Sequence, residues 1–254
     1  MESTKDALAT LARVGLAETD LGGVGHTMLR RGVSATGEPD ALPALAFVRE
    51  GETTADLVAV REIGRGGMGV VHLCEQRSLE REVAVKTARS VETRVARALV
   101  REARIMGALE HPNLVPVHAL GVDANGAPVL VMKRVEGISW SELLRDVDHP
   151  AWPPLLAGHG DRLRAHVEIL LQLSRALAFA HDRGVVHRDL KPENVMVGRF
   201  GEVYLLDWGV SIRLSERENE PPGIVGTPGY LAPEMARGDP MLVDGRTDVY
   251  LLGA

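Results

Sequence analysis

Short runs of Val, Ile and Leu, each bounded by glycine or by charged residues, follow one another along the chain from residue 56. DLVAVREIG, GVVHLCEQ and REVAVKTA have the length and the β-branched composition of strands. LVPVHALGV and PVLVMKRV come later, and the DANGA between them contains the Asn-Gly pair typical of a hairpin turn. This pattern predicts an antiparallel sheet in the first half of the chain.

Apolar residues recur at helical spacing in two longer segments. The first predicts a helix over residues 91–109, whose apolar face comprises Val91, Val95, Leu99, Ile105, Met106 and Leu109. The second, DRLRAHVEILLQLSRALAFAHDRG, has an apolar face at Leu163, Val167, Leu170, Leu171, Leu177 and Ala178. ISWSELLRDV predicts a shorter helix, and the stretch with Pro150, Pro153 and Pro154 predicts a loop.

These elements divide the chain into three parts. Residues 1–55, rich in Ala, Gly, Thr and Glu, have the composition of a partly disordered extension and linker. Residues 56–135 are predicted to form a sheet-rich lobe with one main helix, and residues 136–254 a mainly helical lobe, which together make an α+β fold. The last residues, TDVYLLGA, have the composition of an apolar helix without a polar tail, so the helical lobe is expected to be incomplete.

Composition and charge argue against nucleic acid as a partner, against disulfide bonds and against a membrane span. The 254-residue chain has a formal net charge of -6, which gives no electrostatic reason to expect nucleic acid. The single cysteine, Cys74, cannot form an internal disulfide and is typical of the reducing cytoplasm. No apolar run approaches the roughly 18 residues of a membrane span. The chain is therefore expected to be soluble, cytoplasmic and without a membrane segment.

The stretch EIGRGGMGVVHL contains glycines at the spacing G-x-G-x-x-G, namely Gly64, Gly66 and Gly69, with Gly67 between them. Glycine is costly in ordered chain, so this density indicates a tight bend or a close approach of the backbone to a ligand. Dinucleotide-binding folds, kinases and ordinary turns all contain this spacing. A dinucleotide fingerprint requires a helix after the glycines, whereas VVHLC continues as a strand, which argues against that class.

Four further motifs follow in order: VAVK, HRDLKPEN, LLDWG and GTPGYLAPE. Together with the glycine stretch they are similar to the signature set of the protein kinase family, in its bacterial, eukaryotic-like serine/threonine branch. The resemblance covers residues 58–254 and implies a bilobal fold with a truncated C-lobe. It also implies transfer of the γ-phosphate of ATP to serine or threonine hydroxyls of protein substrates, with Mg²⁺ as the metal.

The resemblance assigns catalytic roles to five residues. Asp189 would orient the acceptor hydroxyl and accept its proton, Lys191 would neutralise the γ-phosphate, and Thr227 would contact Asp189. Strand alternation in VAVK directs Lys86 to the same face as Ala84, where its ammonium suits the α- and β-phosphates. Glu102 matches the position of its usual partner in the following helix, with Glu92 and Glu110 as competing choices near the helix ends.

The nucleotide and its metal would be held by a larger set. Asn194 and Asp207 supply the hard oxygen ligands that Mg²⁺ prefers. The implied ATP-binding residues are Ile63, Gly64, Gly66, Gly67, Gly69, Val71, Ala84, Lys86, Met132, Val135, Asn194 and Asp207. His187 is interpreted as a structural residue beneath the site, and a dimer for autophosphorylation is among the implied partners.

The chain departs from the family pattern in several places. Trp208 replaces the usual Phe after Asp207, and Lys133-Arg134 follow Met132 where acidic and aromatic residues are common. Asp248 resembles the aspartate that anchors the catalytic loop, whereas Glu234 is expected to lack its usual downstream arginine.

The activation segment, residues 207–234, contains SERENE, with Glu216, Glu218 and Glu220. Three interpretations stay open: the acidic run partly substitutes for loop phosphorylation, phosphorylated Ser215 fills that role instead, or the run is a plain solvated loop. Arg188 is the kind of residue that pairs with a phosphorylated loop.

Two other functions compete with the enzyme. A truncated kinase or pseudokinase could act as a scaffold that binds nucleotide or a partner without catalysis. A small-molecule kinase is disfavoured because GTPGYLAPE resembles the element with which protein kinases dock their substrates.

Overall fold

The computed structural model describes residues 42–48, 55–66, 69–88 and 93–254. The strands in these ranges are β1 (Phe47–Val48), β2 (Leu57–Arg65), β3 (Gly69–Gln76), β4 (Arg81–Ala88), β5 (Val117–Val122), β6 (Pro128–Lys133), β7 (Ile138–Ser139), β8 (Val185–Val186), β9 (Val195–Val197), β10 (Val203–Leu205) and β11 (Ile212–Arg213). The α-helices are α1 (Thr93–Ala108), α2 (Trp140–Arg145), α3 (Trp152–His159), α4 (Arg162–Asp182), α5 (Pro233–Ala236) and α6 (Gly245–Gly253). The extension before residue 42 lies outside the described residues, as do Gly67, Val91 and Glu92.

The first six strands form one sheet with the order β1-β2-β3-β4-β6-β5. Neighbouring strands are antiparallel, except that β1 and β2 pair in parallel. The hairpin between β5 and β6 is closed by Asp123, whose Oδ1 accepts the N–H groups of Asn125 and Ala127, each at 2.9 Å. The predicted antiparallel sheet, followed by a mainly helical part, is confirmed.

Residues 42–48 belong to this sheet, although their composition assigns them to the predicted extension. The N–H of Leu45 donates to the carbonyl of Val122 in β5 (2.8 Å), and Phe47 pairs with Leu57 in β2. The segment therefore contacts both β2 and β5, which lie at the two ends of the strand order β2-β3-β4-β6-β5. It covers a buried apolar cluster on one face of the sheet, made of Phe47, Leu57, Cys74, Val83, Val85, Val129 and Val131.

Helix α1 lies against the other face of the sheet. Its residues Leu99 and Ile105 are fully buried and share a core cluster with Leu130 of β6. The same cluster continues through Leu173 of α4 to Leu205 of β10. One continuous core therefore joins the sheet-rich and the helix-rich parts.

The predicted loop around the prolines is wrong in part, because Pro153 and Pro154 lie in the first turn of α3. The first N–H groups of a helix have no partner within it, so proline is well tolerated there. Trp152, which begins this helix, is buried, and its indole N–H donates to the carbonyl of Asp146 (3.1 Å). Proline marks the start of a helix at this position.

The long helix predicted from its periodicity is present as α4, but its predicted apolar face is largely the wrong one. Leu163, Val167 and Leu171 are exposed. The face that packs on the core is made of Ala165, Ile169, Leu173, Ala176, Leu177 and Ala180. The helix carries two apolar stripes, and periodicity does not say which of them meets the core. The small alanines allow neighbouring elements to approach closely.

Polar caps fix where three of the helices begin. Asp161 accepts the N–H of Arg164 at the start of α4 (2.9 Å). Ser139 and Glu142 form a capping box at the start of α2, and Asp244 caps α6. Among the helices of the described ranges, none is both long and apolar enough to cross a membrane.

Candidate active site

Lys86 of β4 and Glu102 of α1 form a buried ion pair. The Nζ of Lys86 lies 2.6 Å and 2.8 Å from the two carboxylate oxygens of Glu102, and 3.5 Å from Oδ1 of Asp207. The ammonium is directed to α1 because the alternation of β4 turns Val83 and Val85 to the opposite face of the sheet. Glu110, one of the competing choices, is exposed after the end of α1.

The charges of this group keep Lys86 protonated. Burial acts to lower the pKa of Lys86, but the carboxylates of Glu102 and Asp207 outweigh it and hold that pKa above its ordinary value. Burial likewise acts to raise the pKa of Asp207, whereas the positive charge of Lys86 lowers it below its ordinary value. Lys86 and Asp207 therefore present a cation beside an anion, whereas burial raises the pKa of Glu102 above its ordinary value.

Asp189 lies at the centre of a second polar group, in the loop of residues 187–194, which is named the catalytic loop for the role that the resemblance implies. Its Oδ2 accepts hydrogen bonds from Lys191 Nζ (2.8 Å) and Asn194 Nδ2 (3.1 Å), and its Oδ1 accepts one from Thr227 Oγ1 (2.6 Å). Lys191 Nζ also donates to Thr227 Oγ1 (2.6 Å). A carboxylate that can accept a proton thus adjoins a cation and a hydroxyl of the activation segment.

The catalytic loop is anchored from below by Asp248 of α6. This fully buried carboxylate accepts the N–H groups of His187 and Arg188, each at 2.9 Å, and lies 2.8 Å from Nε2 of His181. Arg188 has a left-handed backbone with φ 68°, a conformation that non-glycine residues adopt only when their surroundings hold them there. Asp248 supplies that constraint.

His187 has the structural position expected for it. Its Nδ1 accepts the N–H of Asp189 (3.2 Å), so Nε2 carries the proton and donates to the carbonyl of Leu206 (3.0 Å). The ring of Trp208 packs edge-on against it, with ring centroids 4.6 Å apart. The tryptophan that replaces the usual phenylalanine is fully buried in this arrangement.

Asn194 and Asp207 are brought side by side by the backbone. The N–H of Leu206 donates to the carbonyl of Asn194 (2.8 Å). The side-chain nitrogen of Asn194 donates to Asp189, which leaves its oxygen for a ligand, and the Asp207 carboxylate is about half exposed. No cluster of three or more His, Cys, Asp or Glu side chains suited to a metal occurs in the described part of the chain. One amide and one carboxylate oxygen fit Mg²⁺, which binds few protein ligands and keeps phosphate and water ligands.

The glycine stretch connects β2 and β3, and Gly67 in its middle lies outside the described residues. A Cβ at Gly66 would meet nothing within 4 Å. At Gly69 a Cβ would lie 2.6 Å from the carbonyl oxygen of Thr87. Glycine is therefore required at position 69 because β4 approaches closely there, whether or not a ligand is bound. At Gly66 the structure leaves space for an added Cβ.

The other predicted nucleotide-binding residues lie along β2 to β6. Ala84 is paired with Met132 across β4 and β6, and Val71 with Lys86 across β3 and β4. Gly64 is paired with Val71 in the neighbouring strands, and Ile63 beside it is exposed. Val135 follows β6 and packs against the main core.

The structure shows what the residues at three departures from the family pattern contact. Glu234 accepts a hydrogen bond at Oε1 from Thr247 Oγ1 of α6 (2.7 Å), while the lack of its usual downstream arginine stays a prediction. Lys133 lies over the ring of Tyr204, with Nζ 4.6 Å from the ring centroid, and Arg134 pairs with Glu82. Both basic side chains are thus engaged with neighbouring residues.

Sequence reasoning assigned no role to two residues that contact this region. Arg101 donates from Nη1 to Glu220 of the activation segment (2.7 Å), and His181 contacts Asp248. Arg101 directly precedes Glu102 on α1, which was the one available signal. Apart from that adjacency, nothing in the local pattern distinguishes either residue from an ordinary surface charge on a helix.

Comparison with known proteins gives consistent matches. The family model of the protein kinase domain matches residues 57–254. The chain is similar to serine/threonine-protein kinase PknD of Protochlamydia amoebophila, with 32% identity over 216 residues, covering 76% of this chain and 22% of that protein. It is also similar to PknB of Mycobacterium tuberculosis (36% over 200 residues) and of Mycolicibacterium smegmatis (38% over 200 residues), each match covering 75% of this chain and 30% of the relative. The chain therefore spans less than a third of the length of these relatives.

Proposed function

Because this chain belongs to the protein kinase domain family, we propose that it transfers the γ-phosphate of ATP to serine or threonine hydroxyls of protein substrates. The observation that carries this proposal is the Lys191 ammonium shared between Asp189 and Thr227. This arrangement brings together a proton acceptor, Asp189, a cation that can face the transferred phosphate, Lys191, and a residue of the segment along which a substrate would lie, Thr227.

The residues on the acceptor side have complementary roles. Asp189 accepts the proton of the substrate hydroxyl and orients that hydroxyl through its carboxylate. Lys191 balances the negative charge of the phosphate while it is transferred. Thr227 holds both side chains in one geometry through its two short hydrogen bonds, so the loop is organised before a substrate arrives.

The residues on the nucleotide side fix the phosphates. Lys86, positioned by Glu102, binds the α- and β-phosphates, and the glycine stretch after β2 approaches them through its backbone. We propose Mg²⁺ as the metal, held by Asn194 and Asp207. When bound, it neutralises phosphate charge, and the lowered pKa of Asp207 keeps that carboxylate ionised for the role.

Lys86 contacts Asp207, and Asn194 contacts Asp189. The presence of all four residues in these contacts favours an enzyme over a scaffold without catalysis. The use of ATP and the single unpaired cysteine support the cytoplasm as the location of this part of the protein. A dimer for autophosphorylation and the division at residues 55 and 135 stay predictions.

The experiment is phosphate transfer from ATP and Mg²⁺ to a generic protein substrate, comparing the wild-type chain with Asp189→Asn. We expect Asp189→Asn to lower kcat by roughly 10²- to 10⁴-fold, because the amide cannot accept the proton. Asp148→Asn, at a side chain that is 90% exposed, is the matched control and should retain full activity. Folded wild-type protein that transfers no phosphate would refute the proposal.

A further inference from the structure

Glu220 in the activation segment lies between two arginines from different elements. Its Oε1 accepts a hydrogen bond from Nη2 of Arg188 (2.9 Å), and its Oε2 accepts one from Nη1 of Arg101 (2.7 Å). The carboxylate is 15% exposed, and the Arg188 side chain only 5%. One anion therefore lies between two cations, of which Arg188 is buried and Arg101 has a side chain that is 37% exposed.

Each arginine adjoins a residue of the candidate active site. Arg188 directly precedes Asp189, and its Nε also donates to the carbonyl of Val210 (2.7 Å). Arg101 directly precedes Glu102, the partner of Lys86, on α1. A single carboxylate therefore ties the activation segment to the catalytic loop on one side and to α1 on the other.

The backbone sets Glu220 in this place. Strand β11, at the start of the segment, pairs with β8, which leads into the catalytic loop. A 3₁₀-helix over Leu214–Asn219 follows, and the N–H of Glu220 closes its last turn on the carbonyl of Arg217 (3.2 Å). Arg213 donates to the carbonyl of Arg104 in α1 (3.3 Å), which is a second contact between the segment and that helix.

The neighbouring acidic residues are not equivalent to Glu220. Glu216 lies 3.7 Å from Arg213 with a half-exposed side chain, and Glu218 is exposed. Ser215 is exposed, and the hydroxyl of Thr227 is already bound to Asp189. Of the three glutamates in SERENE, Glu220 is the one in contact with both Arg188 and Arg101.

A phosphate added to a kinase activation segment orders that segment by pairing with arginine. Here the carboxylate of Glu220 already fills the position between the two guanidinium groups. Without it, two cations would face one another with Arg188 buried, and truncating one partner of a buried charge pair is strongly unfavourable.

We propose that Glu220 is a positioning residue that replaces the activation-segment phosphate. It holds α1 and the catalytic loop in register through Arg101 and Arg188, so that the Lys86–Glu102 pair and Asp189 are aligned without phosphorylation of the segment. This inference rests on the proposed phosphotransfer activity and concerns how that activity is maintained.

The test compares the wild-type chain with Glu220→Gln and with the matched control Glu218→Gln. Each protein is treated with a phosphatase until intact-mass measurement shows no bound phosphate, and kcat and the KM for ATP are then measured. We expect dephosphorylated wild type to remain active and Glu220→Gln to lose roughly 10- to 100-fold in kcat with a smaller change in KM. Glu218→Gln and Ser215→Ala should remain within about twofold of wild type.

A double-mutant cycle tests whether Glu220 acts through Arg101. We expect Arg101→Gln to lower kcat in the wild-type background and to have little further effect on Glu220→Gln. Multiplicative losses would mean that the two residues act separately and would overturn the proposal. So would wild-type kcat in Glu220→Gln, or loss of wild-type activity on phosphatase treatment.

Hydrogen exchange separates this inference from the proposed function. We expect Glu220→Gln, but not Glu218→Gln, to speed amide exchange in α1 by about tenfold, because the helix loses its link to the activation segment. If the wild type transferred no phosphate, the proposed function would fail while this readout would still test the role of Glu220. Unchanged exchange in α1 would refute that role.

Discussion

The anchoring of the catalytic loop by Asp248 permits a quantitative prediction about stability. Asp248→Ala leaves the N–H groups of His187 and Arg188 buried without their acceptor. Each unpaired group costs about 1–3 kcal/mol, so the two together cost about 2–6 kcal/mol. Release of the left-handed backbone at Arg188 returns about 1–3 kcal/mol. The difference between the middle values of these two ranges gives an expected net loss of about 2 kcal/mol in the free energy of unfolding.

This loss is measurable by urea denaturation followed through tryptophan fluorescence. Trp208, one of three tryptophans in the chain, packs against His187 and contributes to this signal. Asp248→Asn retains one acceptor oxygen and should lose about half as much, whereas the control Asp182→Ala, at a side chain 82% exposed, should change stability by less than about 0.5 kcal/mol. A loss below about 1 kcal/mol in Asp248→Ala would show that other contacts hold the loop.

Three further outcomes are expected. Burial raises the pKa of the Cys74 thiol to about 12, so a thiol reagent should label the native protein only as fast as it unfolds; rapid labelling without denaturant would contradict the buried position. Thr227→Val should lower kcat by roughly tenfold or more because it releases Asp189 and Lys191, while Thr227→Ser should retain most activity in the same assay. Burial acts to raise the pKa of Glu220, but hydrogen bonds from its two arginine partners lower it below its ordinary value. Its contribution to stability is therefore present above the unfolded pKa and is lost as the pH falls through the folded pKa, so Glu220→Gln should flatten the acid branch of a urea-stability profile; parallel profiles would argue against the pairing.

The parts of the site that the sequence predicted are those whose signal is local. Asp189, Lys191 and Asn194 stand within six residues of one another, so the backbone alone keeps them together. Glu102 was predicted from the family resemblance, with the competing Glu92 and Glu110 set aside because they lie near the helix ends, and the structure pairs Glu102 with Lys86. For Asp189, Lys191 and Asn194, the spacing along the chain is enough to predict that their side chains lie close together.

The parts that were not predicted depend on contacts between distant segments. Glu220 meets Arg101 across 119 positions of sequence, and its neighbours in SERENE offer the same charge without the contact. The face of α4 that is buried was misassigned because Leu163 and Val167 are as apolar as Ile169, and only packing decides between them. Charge and hydropathy indicate which contacts a residue is able to make, and the folded structure determines which of those contacts form.

The segment of residues 42–48 has a consequence for how copies of this chain behave toward one another. Exposed sheet edges offer unpaired N–H and carbonyl groups to which a strand from a second molecule can add. Here β1 occupies the outer side of β2, and Ala44 bridges to Val122 of β5, the strand at the opposite end of the order. A short stretch with the composition of a linker thereby occupies the pairing positions at Leu57–Val58 on one edge and at Val122 on the other, which a strand from a second molecule then cannot use.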